Sequence, residues 1–291
     1  MRVLIAGAGG LIGSAVAGHL ASNGHEVVRL VRHEPGQGEV GWDPDAGTID
    51  ADGLEGFDAV IDVASMPWPA RWTSAAKRRI YDNRVDSYRL VAEALAGRMR
   101  KPEVLVCASG MGIYPSSGDQ VLTEESAIGS DFLAGLQRDG EAATAPASAA
   151  GIRVVHLRIP SVLGGPNLAA MAKNVRPFGN GRQWWSWVAL DEIPPIVEHV
   201  LATVTLAGPV NVVSPNPSPE AEFTATLGRI LGRRMGRAMP AFLLRLVVGE
   251  MADALLLASR RIEPRRLLQT GYEFRYPELE AALRHQLEAA A

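Results

Sequence analysis

The residues best suited to chemistry in this chain are a glycine turn near its start, an arginine closing the next apolar run, and a serine closing a later one. The turn reads Gly7-Ala8-Gly9-Gly10-Leu11-Ile12-Gly13. It follows Val3-Leu4-Ile5-Ala6, an all-apolar run expected of a strand buried on both faces. It precedes Leu11, Ile12, Ala15, Val16 and Leu20, which recur at helical spacing. Strand, glycine turn and helix in that order make a dinucleotide site. Turn glycines take positive φ and admit a pyrophosphate to the backbone, Gly13 lets helix and strand pack closely, and the helix N-terminus offers free N–H groups. Gly7, Gly10, Leu11, Ile12 and Gly13 are therefore candidate cofactor contacts. A tight turn that binds nothing is the alternative, and the flanking pattern argues against it.

Glu26–Val31 reads as the second strand, and Arg32 stands nineteen positions after Gly13, where the adenosine ribose belongs. A carboxylate there would bond the ribose 2′-hydroxyl, whereas an arginine favours a 2′-phosphate. Arg32 therefore predicts NADP(H) over NAD(H). A later strand end would make Glu34 the ribose ligand, and a solvated arginine is the plain alternative. Asp58–Ser65 reads as the third strand, ending in Ala64 and Ser65, small enough for cofactor to approach. Glu103–Ser109 is another strand, whose terminal serine faces the crevice where open α/β sheets bind ligands; a local backbone bond is the alternative role for Ser109. The helix Ser74–Arg98, with Thr73 as N-cap, carries Lys77, Arg78, Arg79, Arg84 and Arg89. Most belong to a solvated face, and Arg84 is the one expected to turn toward the cofactor.

These pieces need a scaffold of alternating strands and helices. A hairpin or loop is predicted over Gly36–Leu54, a helix over Asp131–Ala149 interrupted near Pro146, and a strand over Ile152–Arg158 closing on Ile159-Pro160, with Pro160 beside the cofactor. A helix over Asn167–Val175, a helix capped by Asp191 and a late strand at Pro209–Val213 follow. Prolines open the helices predicted at Pro219–Leu231, Pro240–Ser259, Pro264–Gln269 and Pro277–Ala290. The fold class is α/β, a Rossmann-type doubly wound parallel sheet with a smaller, mostly helical C-terminal capping part. Residues 1–163 form the cofactor domain, with 188–213 returning to it, and 164–187 with 214–291 form the cap. Three of the six tryptophans fall at 184, 185 and 187; Trp184 and Trp187 are expected in the core and Trp185 on a cleft wall.

At 291 residues and 47% hydrophobic content the chain is long enough for a substantial core. A net charge of −3 gives no basic surface for nucleic acid or membrane. The single cysteine, Cys107, excludes an internal disulfide and leaves no zinc cluster, so no metal is expected. No signal peptide or spanning segment is read, which points to a cytoplasmic protein with a small-molecule substrate.

Beyond the glycine turn, Trp42-Asp43-Pro44, Arg71-Trp72-Thr73 with Lys77, Arg84-Val85 and Gly181-Arg182-Gln183-Trp184 with Ser186-Trp187 form a specific set. Pro240-Ala241-Phe242, Gly249-Glu250-Met251, Pro264-x-Arg266-Leu267-Leu268 and Gly271-Tyr272-x-Phe274-x-Tyr276-Pro277 extend it to the C-terminus. In these the chain resembles atypical extended short-chain dehydrogenases/reductases, the NAD-dependent epimerase/dehydratase family in its nucleoside-diphosphate-sugar epimerase-like branch. The resemblance implies NADP(H) in the crevice, Arg32 near the 2′-phosphate and a capping C-terminal part. It also implies a monomer or a homodimer, since the helices at Ser74–Arg98 and Asp131–Ala149 pair between subunits in many relatives.

The departures matter equally. Reductases of this superfamily use a Tyr-x-x-x-Lys helix, whose tyrosine delivers a proton while the lysine lowers its pKa. Aligned on Glu141, those slots hold Leu133 and Gln137, neither an acid nor a base. Ser109 matches the family serine. Tyr114 is the expected substitute donor, with Lys77 or Arg84 supplying positive charge. Ile113 and Pro115, flanking Tyr114, differ from the usual residues, and the segment from Gly165 to Gly181 is shorter than in relatives. Two functions follow: an NADP(H)-dependent oxidoreductase or epimerase acting on a small hydroxyl or carbonyl substrate, sugar-nucleotide-like substrates among them, or a catalytically weak NADP(H)-binding sensor or interaction protein.

Overall fold

Strand β1 (Arg2–Ala6) is enclosed from Val3 onward, as its apolar run predicts. Val3 and Ile5 face one helical layer, Leu4 and Ala6 the other. This computed structural model describes residues 1–67, 69 and 71–289. Helix α1 (Leu11–Ser22) leads back to β2 (Glu26–Val31), parallel to β1. The glycine- and aspartate-rich stretch that follows is a hairpin, β3 (Glu39–Asp43) and β4 (Thr48–Ile49). Because β3 also pairs in parallel with β2, the hairpin extends the sheet.

The chain then crosses to the opposite side of β1, where β5 (Ala59–Asp62) pairs with it. Helix α2 (Ser74–Ala96) is capped as predicted, Thr73 Oγ1 accepting from the Ala76 N–H at 3.2 Å. Strand β6 (Val104–Gly110), the short β7 (Val121–Leu122), α3 (Phe132–Ala143), α4 (Ala145–Ala149) and β8 (Arg153–Ile159) follow. The α3–α4 break falls at Thr144, placing Pro146 in the first turn of α4, where its missing N–H costs nothing.

Next come β9 (Ser161–Leu163), α5 (Gly165–Lys173), β10 (Trp184–Trp185), β11 (Trp187–Ala189), α6 (Ile193–Ala202) and β12 (Gly208–Asn211). The main sheet runs β12-β8-β6-β5-β1-β2-β3-β4, with every pair parallel except β3–β4. This is a doubly wound α/β Rossmann-type sheet. The chain reverses direction across the sheet at β1 and β5, and their carboxyl ends open a crevice.

The C-terminal part comprises β13 (Ser218–Pro219), α7 (Glu220–Ile230), α8 (Ala241–Val248), β14 (Arg261–Ile262), α9 (Arg265–Gln269) and α10 (Leu279–Glu288). Pro219, Pro240 and Pro264 occupy the N-cap positions of α7, α8 and α9. Strand β14 pairs in parallel with β7, and the buried Arg260 donates 2.8 Å bonds to the carbonyls of Tyr114 and Ala254.

Three expectations are corrected here. The helix predicted over Pro240–Ser259 is interrupted at Gly249, whose φ of +64° only glycine adopts freely, and resumes as a π turn over Ala252–Leu256. Asp191 does not cap α6; its carboxylate accepts from His285 and Gln286 of α10 instead. Trp187 is in the core as expected, but so is Trp185, and Trp184 is the more exposed of the three. Trp185 stacks on Phe223 at 5.9 Å between ring centroids, while Trp184 is half-buried, with Nε1 donating to Asp119 and its ring under Arg261. Trp68 and Ala290 lie outside the described residues.

Candidate functional site

A cleft of about 940 Å³ opens at the carboxyl ends of β1 and β5. One wall is the Gly7–Gly13 turn, the facing wall Val63, Ala64, Ser65 and Met66, and Arg32, His33, Trp42 and Pro44 close the end beyond β2. Eight of the candidate contacts are brought together there: Gly7, Gly10, Leu11, Ile12, Gly13, Arg32, Ala64 and Ser65. The turn is dense. Gly7 has φ +81°, and a Cβ on it would stand 2.7 Å from the Ala64 nitrogen. A Cβ on Gly13 would stand 2.0 Å from the Gly7 carbonyl oxygen, so helix and strand meet there only through glycine. The Gly10 N–H closes the turn on that same carbonyl at 2.9 Å.

Arg84 and Pro160 do not line the cleft. Arg84 nevertheless turns inward, donating to Ser65 Oγ at 3.3 Å, to the Ala108 carbonyl at 3.2 Å and to the Tyr88 hydroxyl, so it braces the wall from behind. Pro160 is buried, and its neighbour Val162 reaches the cleft in its place, with Asn167 at the start of α5. Asn83 and Ser87 of α2 and Trp42 and Pro44 of the hairpin also line it. Parallel pairing of β3 with β2 is what carries Trp42 there. The Trp42-Asp43-Pro44 motif was the only signal in the sequence, and it named a family rather than a position.

Ser109 and Tyr114 stand apart from this cleft. The Ser109 hydroxyl donates to Glu141 Oε1 at 2.7 Å, with Gln137 Oε1 farther off at 3.4 Å. Tyr114 is fully buried. Its hydroxyl donates to Asn211 Oδ1 at 2.7 Å and accepts from Arg158 at 2.9 Å, and burial pushes its pKa up despite the neighbouring guanidinium. Enclosed in this way, the Tyr114 hydroxyl is turned into the core and lies outside the cofactor cleft. The β7–β14 pairing anchors the loop, and the long-range partners Arg158, Asn211 and Arg260 hold Tyr114 there. Arg158 is bidentate to Glu141, at 2.9 and 2.8 Å. Burial opposes its charge, but the oxygens of Glu141 and Tyr114 outweigh that and keep it protonated.

Leu133 and Gln137 are also buried. Leu133 abuts Gly112, where a Cβ would come within 3.0 Å, and Gln137 abuts Gly110, where a Cβ would come within 2.9 Å. The two slots are thus filled by side chains clasped against the glycine that ends β6 and the one two residues beyond it. Lys77 pairs with Glu250 and lies 5.1 Å from the Phe132 ring, committed to the C-terminal part. Among the described residues no cluster of histidine, cysteine or carboxylates could hold a metal, and no helix is long and apolar enough to cross a membrane.

Behind the cleft wall, Asp62 is fully buried at the end of β5. Oδ1 accepts from the Ala64 N–H at 3.0 Å, and Oδ2 has no partner among the described residues. Burial raises its pKa to about 6 against that bond and the Arg84 charge. With the folded value above the unfolded 3.8, stability from the neutral carboxyl is complete below about pH 4 and is lost as pH rises through about 6. Asp62→Asn is therefore expected to match wild type near pH 4 and to be more stable by roughly 2–3 kcal/mol at pH 7. Urea unfolding across that range tests it; a constant difference would refute it.

The sequence profile of the NAD dependent epimerase/dehydratase family matches residues 3–213. The chain belongs to that family. A second profile, domain of unknown function DUF1731, covers residues 239–286, which include α8, β14 and α9. The epimerase family protein ML0860 of Mycobacterium leprae is 34% identical over 292 residues, covering 97% of this chain and 94% of its own. Human epimerase family protein SDR39U1, crystallised with NADPH, superposes with a TM-score of 0.87 at 30% identity and 99% coverage of both chains. A nucleoside-diphosphate sugar epimerase from Corynebacterium glutamicum gives 0.83 at 34% identity, covering 99% of this chain and 58% of that one.

Proposed function

We propose that this family member binds NADP(H) in the β1–β5 cleft and acts as an oxidoreductase or epimerase on a small hydroxyl or carbonyl substrate. The observation that carries the reading is the cleft itself: a turn that leaves no room for a Cβ at Gly7 or Gly13, facing small residues, with Arg32 at its far end. The NADPH in the crystal structure of human SDR39U1 supports the choice of nucleotide. Bound there, the nicotinamide would supply a hydride donor or acceptor. The turn would receive the pyrophosphate on the Gly10–Gly13 backbone, and Arg32 the 2′-phosphate. Ser109, which matches the family serine at the end of β6, is the group we assign to meet a substrate oxygen. Because its proton is given to Glu141, it would accept from a substrate hydroxyl rather than donate to a carbonyl. We read residues 1–163 with 188–213 as the cofactor domain, and 164–187 with 214–291 as the cap.

A second reading, an NADP(H) sensor with little catalysis, is favoured by one observation: the slots for the proton donor and its lysine hold Leu133 and Gln137, with Tyr114 sealed in the core. Titration of NADPH and NADH into wild type and Arg32→Ala tests the cofactor assignment. The variant should lose about 1–3 kcal/mol of NADPH preference, the worth of a charge-assisted phosphate contact. If neither nucleotide binds wild type, both readings fail. Oxidation of bound NADPH across a panel of carbonyl compounds then separates enzyme from sensor.

A further inference from the structure

Next to the cofactor cleft, and sharing Arg32, Met66 and Asn83 with it, lies a second pocket of about 330 Å³. Its remaining wall is the N-terminal half of α2, with Arg78 and Arg79, and the tip of the β3–β4 hairpin, with Asp45. Helix α2 carries five cations, and three of them are committed. Lys77 pairs with Glu250, Arg84 braces Ser65 and the Ala108 carbonyl, and Arg89 pairs with Asp86. Arg78 and Arg79 have no hydrogen-bond or ion-pair partner among the described residues, and neither has Arg32. Asp45 and Asp82 also face the pocket, yet neither comes within 4.0 Å of a guanidinium. Three cations against two carboxylates leave a net positive pocket whose arginines are free to engage an anion.

The position of that pocket decides which anion. It opens at Arg32, just past the carboxyl end of β2, one strand across the sheet from the Gly7 turn, where Trp42 and Pro44 bound the cleft. A dinucleotide lying with its pyrophosphate on the turn has its adenosine ribose at that end. A 2′-phosphate carried on that ribose would stand beside Arg32, which the second pocket shares with the cleft. Resting on the NADP(H) reading above, the geometry points to Arg78 and Arg79 as specificity-determining residues: with Arg32 they grip a 2′-phosphate monoester from two sides, one from the sheet and one from α2. Guanidinium forks suit this role because they meet phosphate oxygens in pairs and stay charged at every working pH. An adenosine with a free 2′-hydroxyl presents no charge to this pocket and gains nothing from it.

The test is calorimetric titration of NADPH and NADH into wild type, Arg32→Ala, Arg78→Ala, Arg79→Ala and the double variant Arg78→Ala/Arg79→Ala. All three arginines are exposed, so the variants should fold, and thermal melting confirms it. The expected result is a loss of NADPH affinity of about tenfold or more in the double variant, with NADH affinity unchanged. At least one single variant should show part of that loss. Unchanged NADPH preference in the double variant, with preference lost in Arg32→Ala, would overturn the two-sided grip and leave the cofactor reading standing. Equal weakening of both nucleotides would also overturn it, because the arginines would then act on a part common to both. If wild type binds neither nucleotide, it is the cofactor reading that fails, and the grip with it.

Discussion

Gly13→Ala is expected to abolish nucleotide binding and to lower stability by roughly 3 kcal/mol, at the upper end for overpacking a dense site. The added methyl would stand 2.0 Å from the Gly7 carbonyl oxygen and 2.7 Å from its carbon. Both are backbone atoms, so no rotamer change relieves the contact. Either α1 must lift from β1 or the Gly7 turn must open, and each destroys the surface on which the pyrophosphate would rest. Gly9→Ala in the same turn is the control, since a Cβ there meets nothing within 4 Å. Calorimetry and thermal unfolding on the two variants should diverge sharply. Equal behaviour would mean that the turn tolerates crowding and that its glycines do not shape the site.

The second large effect is expected at Arg158. Its guanidinium and the Glu141 carboxylate are 5% and 12% exposed, and they satisfy one another through two bonds. Arg158→Met leaves that carboxylate buried with only the Ser109 hydroxyl for a partner, and it also strips a donor from Tyr114. Breaking one side of a buried pair costs about 3–5 kcal/mol, whereas replacing both sides with well-packed apolar residues is often neutral. Urea unfolding should therefore show a severe loss for Arg158→Met and substantial recovery in Glu141→Leu/Arg158→Met. A loss below about 1 kcal/mol for the single variant would show that water reaches the pair and that Ser109 is not held by a dry network.

The parts of the fold that could be read in advance are those set by neighbours in the chain. Apolar runs placed β1, β5, β6 and β8, Thr73 marked the start of α2, and prolines marked α7, α8 and α9, because each depends only on local sterics and hydrogen bonding. The glycine turn was legible for the same reason. Gly249 is equally visible in the sequence, but the apolar pattern continues on both sides of it, so the break depends on its positive φ. The placement of Tyr114 was not legible, because it depends on Asn211, Arg158 and Arg260, which lie 97, 44 and 146 residues away. The burial of Trp185 in preference to Trp184 has a similar cause. A two-residue strand gives no periodicity, so which ring faces Phe223 is decided by the antiparallel partner β13. Within the cleft, the turn and Arg32 were readable as motifs, whereas Asn83, Val162 and Asn167 arrive through crossover connections that carry no local mark.

The pairing of β7 with β14 also sets an order of events at the ribosome. All strands of the main sheet have been synthesised once Asn211 is made, but β14 begins fifty residues later, at Arg261. At typical elongation rates that gap lasts about 3–10 s, long compared with the collapse of a nascent domain. Throughout it the loop that buries Tyr114 has an uncovered strand edge at Val121–Leu122 and lacks the guanidinium of Arg260. A growing chain of this protein therefore passes through a stage with a finished sheet and an open flank, the stage at which another nascent copy or a chaperone would find a strand to pair with.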